Sequence, residues 1–354
     1  MKQLALSLLM SISMLMASGM VAAQEEQAVA DSTAAGGEAE AGIDINELIS
    51  HHISNSHTWD LFAYENSEGE EVKVQIHLPV MAYYRGDFLF TTSAAFEDGK
   101  EVTQNGITYY MEHDKLKVRG YEDTPFDFSL TRNVASMFLS CVILLLVFVG
   151  AARSYKKSKV PHGGTALVEM AVLFVKDIAD DQIGKEKSGK YTNYLLTLFF
   201  FIWFNNLIGL IPFFPGSSNL SGNISFTAIL AIFTFIVTNW NGTKAYWKHN
   251  LTVPGVPAVM KIILIPVEII SMFTKPFTLL VRLFANITGG HILVLSLFSV
   301  IFIVHSYAMA VPSVLLAFLI FSLELIFGAL QAYIFTLLSA LYIGLAVNQE
   351  EHEE

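Results

Sequence analysis

Residues 275–286 read KPFTLLVRLFAN and place a lysine, an arginine and an asparagine inside a long apolar stretch. Arg282 decides how this stretch is interpreted. An arginine at the centre of a bilayer costs about 2.5 to 3.5 kcal/mol on insertion scales, so such a residue usually marks an ion pathway or a counter-ion. The alternative is an arginine that snorkels to the headgroups. Two more polar residues, Asn286 and His291, follow on the same predicted helix, which favours the ion pathway.

The composition indicates the broad class of protein. Of 354 residues, 53% are hydrophobic and 15% are charged, and the mean hydropathy is +0.50, which is typical of a polytopic membrane protein. The net charge of −11 comes mostly from the N-terminal third and from the tail at 349–354. An acidic exterior gives no reason to expect nucleic acid as a partner. The lone cysteine, Cys141, is interpreted as a small apolar residue.

The N-terminal third has features of export. Lys2, an apolar run over 4–20 and small residues before Gln24 predict a signal peptide at 1–23, with an uncleaved membrane anchor as the alternative. Residues 24–45 are rich in Ala, Gly, Glu and Gln, and we expect a flexible arm because they bury too little apolar surface.

A β-rich module is predicted for residues 46–125. Residues 72–78 alternate strictly between polar and apolar side chains, and 87–92 and 106–110 have strand-forming composition. The Asp98-Gly99 and Asn105-Gly106 pairs are typical of tight connections between antiparallel strands. We therefore expect a small exported module that precedes the membrane.

Five apolar segments follow Pro125, at 133–152, 192–212, 226–247, 262–304 and 312–346. The fourth is about twice the length of ~20 residues that one crossing needs, so it must tilt, lie partly in the interface, or break at Pro266, Pro276 or Gly289-Gly290. The sequence predicts an all-α polytopic membrane protein over 126–348. It has five transmembrane helices, of which the last two form a long tilted hairpin, and an acidic cytoplasmic tail at 349–354.

The distribution of basic residues predicts the orientation. Lysines and arginines cluster after the first segment, before the second and after the third, whereas 213–225 and 305–312 contain none. The positive-inside rule then places the N-terminus outside the membrane and the C-terminus in the cytoplasm. Residues 166–183 form an amphipathic pattern, which fits either a helix on the membrane surface or a linker helix packed on protein.

Polar residues on the last two predicted helices form a stripe. At 3.6 residues per turn, Glu268, Lys275, Arg282 and Asn286 lie close to one face over about 27 Å. Glu324 and Gln331 share a face of the final helix, and antiparallel pairing would bring them towards His291 and Arg282. A carboxylate beside an imidazole predicts a proton relay, with a structural buried ion pair as the alternative.

These residues resemble a known family. The Arg282-Leu283-Phe284-Ala285-Asn286 segment, preceded by Lys275-Pro276, and residues 330–335, LQAYIF, are similar to the two signature segments of F-type ATP synthase subunit a. The resemblance extends to residues 205–212, NNLIGLIP, and to the surface helix from Ala166. It covers about residues 130–348, so the N-terminal module lies outside it.

The resemblance implies a proton-translocating stator subunit without catalytic activity, cofactor or metal. Its partners would be a rotating ring of c subunits, the b-subunit peripheral stalk, other ATP synthase subunits and the lipid bilayer. Arg282 would face each ring carboxylate in turn and block a leak between two half-channels, because a guanidinium stays charged at any relevant pH. Other positions carried over by the resemblance are Asn286, His291, Glu324 and Gln331 for the outer half-channel, Glu268 and Ser271 for the cytoplasmic exit, and Lys275 and Asn206 in supporting roles.

The chain departs from some bacterial members at Gly209 and Phe214, where acidic residues can mark the channel mouth, so residues of the exported module are candidates for the entrance. The ion-selective carboxylate would lie on the ring, which leaves both H⁺ and Na⁺ open. Two other functions are compatible with the sequence. One is a self-contained ion-coupled secondary transporter, and the other is an assembly anchor whose module recruits a partner. His51, His52 and His57 lack the cysteine or acidic partners of a metal site.

Overall fold

The structure is a computed structural model, which describes residues 55–65, 71–112, 115–121, 123–157, 160, 162–211, 216, 218, 220–252, 257–304 and 307–349. The predicted signal peptide, the predicted arm, His51, His52, Phe214 and most of the acidic tail lie outside the described residues.

Eight strands occupy the N-terminal part of the described chain. They are β1 (Thr58–Glu65), β2 (Glu71–His77), β3 (Pro79–Tyr84), β4 (Asp87–Thr92), β5 (Val102–Gln104), β6 (Ile107–Glu112), β7 (Lys115–Val118) and β8 (Phe126–Asp127). They pair antiparallel in three sheets, β1-β2, β4-β3-β8 and β5-β6-β7. The strands predicted at 72–78, 87–92 and 106–110 coincide with β2, β4 and β6.

Tight turns set the register of these hairpins. Asn105 and Gly106 have φ of 50° and 82°, and this pair of positive φ values is typical of a two-residue hairpin turn between β5 and β6. The expected turn at Asp98-Gly99 is instead the end of a 3-10 helix, Ser93–Gly99. Side chains from β3, β4, β6 and β7 form a shared core around Val80, Leu89 and Tyr109.

His57 pairs with an acid. Its Nε2 atom lies 3.6 Å from Oδ2 of Asp127. Burial by itself would raise the pKa of Asp127, but the interactions of its carboxylate with His57 and with the Ser129 hydroxyl and amide outweigh burial and hold that pKa below its usual range. Among the described residues, no three His, Cys, Asp or Glu side chains cluster in a way that could hold a metal ion.

Seven α-helices follow, and they make the chain a mostly helical polytopic membrane protein. They are α1 (Arg132–Lys157), α2 (Gly164–Ile183), α3 (Gly189–Gly209), α4 (Ile224–Trp240), α5 (Lys244–Thr252), α6 (Ala258–Val304) and α7 (Tyr307–Asn348). In the described part of the chain, three helices are long and apolar enough to cross a membrane, over Arg132–Lys156, Val259–Gly290 and Pro312–Asn348. A fourth is added if α4 and α5, which meet at 105°, count as one bent span.

The second predicted span is not among the helices that are long and apolar enough to cross a membrane. It corresponds to α3, whose 21 residues include Asn193, Asn205 and Asn206 and are correspondingly less apolar. The count of five crossings therefore stays a prediction. The fourth predicted segment is one continuous helix, α6, that runs through Pro266 and Pro276, and α7 begins at Tyr307, five residues before the expected Pro312.

Helices α6 and α7 pack antiparallel. Gly290 of α6 meets Glu324 of α7, and Lys275 lies over the ring of Tyr342. Between these contacts, Leu279 and Leu283 are buried with Phe335 in a core cluster that also includes α2, α3 and α4. This packing fixes which face of α6 remains uncovered.

The amphipathic helix α2 combines features of a helix on the membrane surface and of a linker helix packed on protein. Val175, Ile178 and Ile183 are buried in the helical core, while Leu167 and Met170 are exposed. Its C-terminal end packs closely on α7, because a Cβ at Gly344 would lie 2.1 Å from the carbonyl oxygen of Gln182. The second half of α2 therefore contacts protein, and the first half leaves its apolar side chains uncovered.

Candidate functional site

Arg282 lies on the uncovered side of α6. Its side chain is exposed in the isolated chain, and so are Val281 and the apolar residues Phe277 and Phe273 one and two turns earlier. Its neighbour Leu283 is fully buried against the core. Within the described residues no carboxylate lies within ion-pair distance of Arg282. A permanent cation is thus presented on an apolar surface.

A cavity of about 310 Å³ opens on one side of Arg282 along α6. We call it the asparagine cavity; its polar lining consists of Asn205, Asn206, Ser218, Ser221, Asn286 and Glu324. Asn286 is one turn beyond Arg282, about 6 Å along the axis. The cavity therefore begins next to the arginine, and it can hold several water molecules.

Hydrogen bonds hold the wall of this cavity. The Asn206 side chain donates to the carbonyl oxygen of Gly328 on α7 (3.1 Å) and accepts from the Ser221 hydroxyl (2.6 Å). Asn205 accepts from Ser140 of α1 (3.0 Å). A Cβ at Gly328 would lie 3.3 Å from Cβ of Asn206, so the helices approach closely at that point. The amide of Asn206 is thereby fixed between α7 and the connection that precedes α4.

Glu324 packs directly on a glycine of α6. A Cβ added at Gly290 would lie 2.1 Å from Oε1 of Glu324, whereas one at Gly289 would meet nothing within 4 Å. The register predicted from the sequence, with Glu324 opposite the region of His291, agrees with this contact. His291 belongs to α6, but its side chain lies outside the described part of the structure, so the relay between these two residues stays a prediction.

Gln331 is buried at 3% exposure. Its amide nitrogen has no hydrogen-bond partner within the described residues. The expected approach of Gln331 to Arg282 gives no hydrogen bond there, because Arg282 points to the uncovered side while Gln331 faces the core. A buried unpaired amide requires a water molecule or another polar group, since it otherwise carries a desolvation cost of about 1 to 3 kcal/mol.

A narrow crevice lies in the opposite direction along α6. We call it the tyrosine crevice; its polar lining consists of Thr234, Thr238, Asn239, Tyr246, Lys275 and Tyr342. The ammonium nitrogen of Lys275 is 5.8 Å from the centre of the Tyr342 ring. Glu268 and Ser271 are half-buried on neighbouring turns of α6, towards its N-terminus.

Several polar residues of the site were missed by sequence reasoning, among them Ser218, Ser221 and Tyr342. Ser218 and Ser221 come from the connection between α3 and α4, and only their position in a charge-free segment between two apolar ones could have indicated them. Tyr342 was hidden in the apolar pattern of α7, where a tyrosine at helical spacing is usually a packing residue. Their roles follow from long-range contacts that no local pattern contains.

Comparisons with known proteins agree with the resemblance of these segments. Residues 134–344 match the family described as ATP synthase A chain, and residues 48–135 match a second family, described as Domain of unknown function (DUF8433). ATP synthase subunit a of Chloroherpeton thalassium is 46% identical over 246 residues, which cover 67% of this chain and 71% of that protein. The chain is also 46% identical to ATP synthase subunit a of Chlorobium phaeobacteroides, with 64% and 69% covered. Identity to ATP synthase subunit a of Myxococcus xanthus is 40%, with 69% and 80% covered.

Proposed function

Because the chain belongs to the ATP synthase A chain family, we propose that it is the stator subunit in which Arg282 faces the carboxylates of a rotating c-ring. It is a proton-transporting, multi-pass membrane subunit of a bacterial F-type ATP synthase and works with other subunits of that complex. The c-ring and the b-subunit stalk are the partners we assign to it. We assign it no catalytic chemistry.

The observation that carries this proposal is the position of Arg282 between two polar recesses. The asparagine cavity lies towards the C-terminal end of α6 and the tyrosine crevice towards its N-terminal part, while the arginine itself is uncovered. Gly290 and Lys275, which mark the two recesses, are about 22 Å apart along the helix axis. Neither recess alone spans a hydrocarbon core of about 30 Å, so a proton needs a carrier to pass between them.

The asparagine cavity would be the outer half-channel. Water in the cavity brings protons to Glu324, and Asn286 extends the polar lining towards Arg282. His291 and Gln331 complete this half of the path in our proposal, with Asn206 as the residue that holds the wall. An imidazole suits a relay to a carboxylate because the ordinary pKa of histidine lies near physiological pH.

The tyrosine crevice would be the cytoplasmic half-channel. In our proposal Glu268 and Ser271, which lie just N-terminal of the crevice on α6 and outside its lining, supply the exit, and Lys275 in the lining keeps a positive charge there. We assign the N-terminus to the periplasm and the C-terminus to the cytoplasm, with α1, α3, α4, α6 and α7 as the five crossings. The basic loops after α1 and α4 support that orientation.

Arg282 would separate the two half-channels. A guanidinium within about 4 to 6 Å stabilises the ionised form of a carboxylate, so a protonated ring acid that arrives releases its proton. The same fixed charge repels a proton that would otherwise move directly from one recess to the other. The ring must therefore rotate for a proton to cross, which couples flux to rotation.

Reconstitution tests this function. Proteoliposomes that contain the purified complex are expected to acidify when ATP is added, and those that contain this chain alone are expected to retain an imposed pH gradient, because the chain provides only half-channels. A pH-sensitive dye inside the vesicles measures both. Rapid proton flux through the chain alone would favour a self-contained transporter instead.

A further inference from the structure

The first strand of the N-terminal β module contacts the connection between α3 and α4, which forms one wall of the asparagine cavity. Trp59 of β1 is buried, and its indole N–H donates to the carbonyl oxygen of Gly216 at 3.0 Å. These residues are 157 positions apart in the chain. A buried hydrogen bond of this kind ties the strand to the segment between α3 and α4.

A second hydrogen bond holds the same connection, two residues after Gly216. The Ser218 hydroxyl donates to the side-chain oxygen of Asn133 at 2.8 Å, and both side chains are buried. The backbone N–H of Asn133 in turn donates to the side chain of Asn55, and that of Arg132 donates to the carbonyl oxygen of Ser56. The residues just before β1 and the first turn of α1 therefore hold the same connection.

Two glycines at this connection, Gly209 and Gly216, leave no room for a side chain. A Cβ at Gly216 would lie 2.2 Å from the carbonyl oxygen of Ile211, and one at Gly209 would lie 2.9 Å from that of Ser218. Backbone thus packs on backbone at the end of α3. Position 209, where an acidic side chain can mark the channel mouth, has no space for one here.

This connection is also a wall of the cavity. Ser218, Leu220 and Ser221 line it, and the Ser221 hydroxyl donates to Asn206. A movement of the connection would therefore change the polar lining in front of Glu324. The ties from β1 and α1 determine where that wall lies.

We propose that the N-terminal β module, predicted over residues 46–125, is a clamp that positions the outer wall of the proton cavity, with Trp59 as its main positioning residue. This inference rests on the proposed function. It assigns the module a part in proton access, in place of the acidic side chain that Gly209 excludes.

Trp59→Phe tests the clamp, because it removes the indole N–H and keeps an aromatic ring. The background carries Cys141→Ala, and Leu220→Cys serves as the reporter. Intact complexes are labelled with a membrane-impermeant maleimide added from the periplasmic side. Labelling is expected to become about tenfold faster in the Trp59 variant, because loss of one buried hydrogen bond favours local opening by about that factor. ATP-driven proton pumping is expected to fall about three- to tenfold.

Trp240→Phe is the matched control, because Trp240 is 87% exposed and its loss should change neither measurement. Ser218→Ala lies outside the strands and should also speed labelling and lower pumping. This variant tests the clamp even if the Trp59 variant fails to fold. Unchanged labelling in both variants would overturn the clamp. Faster labelling with normal pumping would overturn its role in proton access and leave the proposal for Arg282 intact.

Discussion

Replacement of Arg282 by alanine is expected to abolish ATP-driven proton pumping, with a loss of at least about a hundredfold, which is the usual effect of removing one preplaced stabilising charge. Without the guanidinium, the charge that favours release of the proton from an arriving ring carboxylate is lost. The two recesses also lose the charge that separates them, so assembled complexes should let an imposed pH gradient decay faster. Fluorescence quenching of an acridine dye in inverted vesicles measures both effects.

Two further variants sharpen this test. Arg282→Lys should retain only part of the pumping, because an ammonium on a flexible stem can lose its proton in an apolar site. Arg153→Ala removes an equal charge from an exposed position near the end of α1 and should leave pumping unchanged. Normal pumping by the Arg282→Ala variant would reject the proposed role of this residue.

Glu324→Gln is expected to slow proton flux by about a hundredfold, because a positioned acid–base group commonly contributes 10²-fold or more and the amide cannot carry a proton. The size and shape of the side chain are kept, so the cavity itself should persist. Proton-driven ATP synthesis at a fixed imposed gradient measures the effect. Flux within a factor of about two of the original would show that Glu324 is only a structural residue, which would support a buried pair instead of a relay.

The glycine pair on α6 gives a matched control for the position of Glu324. Gly290→Ala places a methyl group where the carboxylate now lies and should displace it, with a loss of flux that approaches that of Glu324→Gln. Gly289→Ala meets open space and should leave flux unchanged. Equal effects of the two alanines would contradict the packing of Glu324 on Gly290.

The sequence predicted the helices and strands well where periodicity and composition were strong. The alternation at 72–78 indicated β2, and the apolar segments indicated α1, α4, α6 and α7. The register of α6 against α7 followed from antiparallel pairing, and the contact of Gly290 with Glu324 agrees with it. Local pattern was sufficient because each of these features depends on nearby residues or on one short connection.

Other features could not be derived in this way. The helix continues through Pro266 and Pro276, although proline usually ends or kinks a helix. Near the second proline, the Thr278 hydroxyl donates to the carbonyl oxygen of Thr274, a bond of the kind that lets membrane helices tolerate proline. The tie between Trp59 and Gly216 joins residues far apart in sequence, and its partner is a backbone carbonyl that carries no sequence signal. Long-range contacts of this kind become visible only in three dimensions.

The central claim is that the uncovered side of α6 around Arg282 faces the c-ring. A photo-reactive amino acid at Val281, which is 40% exposed beside Arg282, tests it in assembled complexes, with Leu146 of α1 as an exposed control. After illumination, mass spectrometry of the adducts is expected to identify the c subunit at position 281 and not at position 146. Adducts with lipid alone at position 281 would contradict the account.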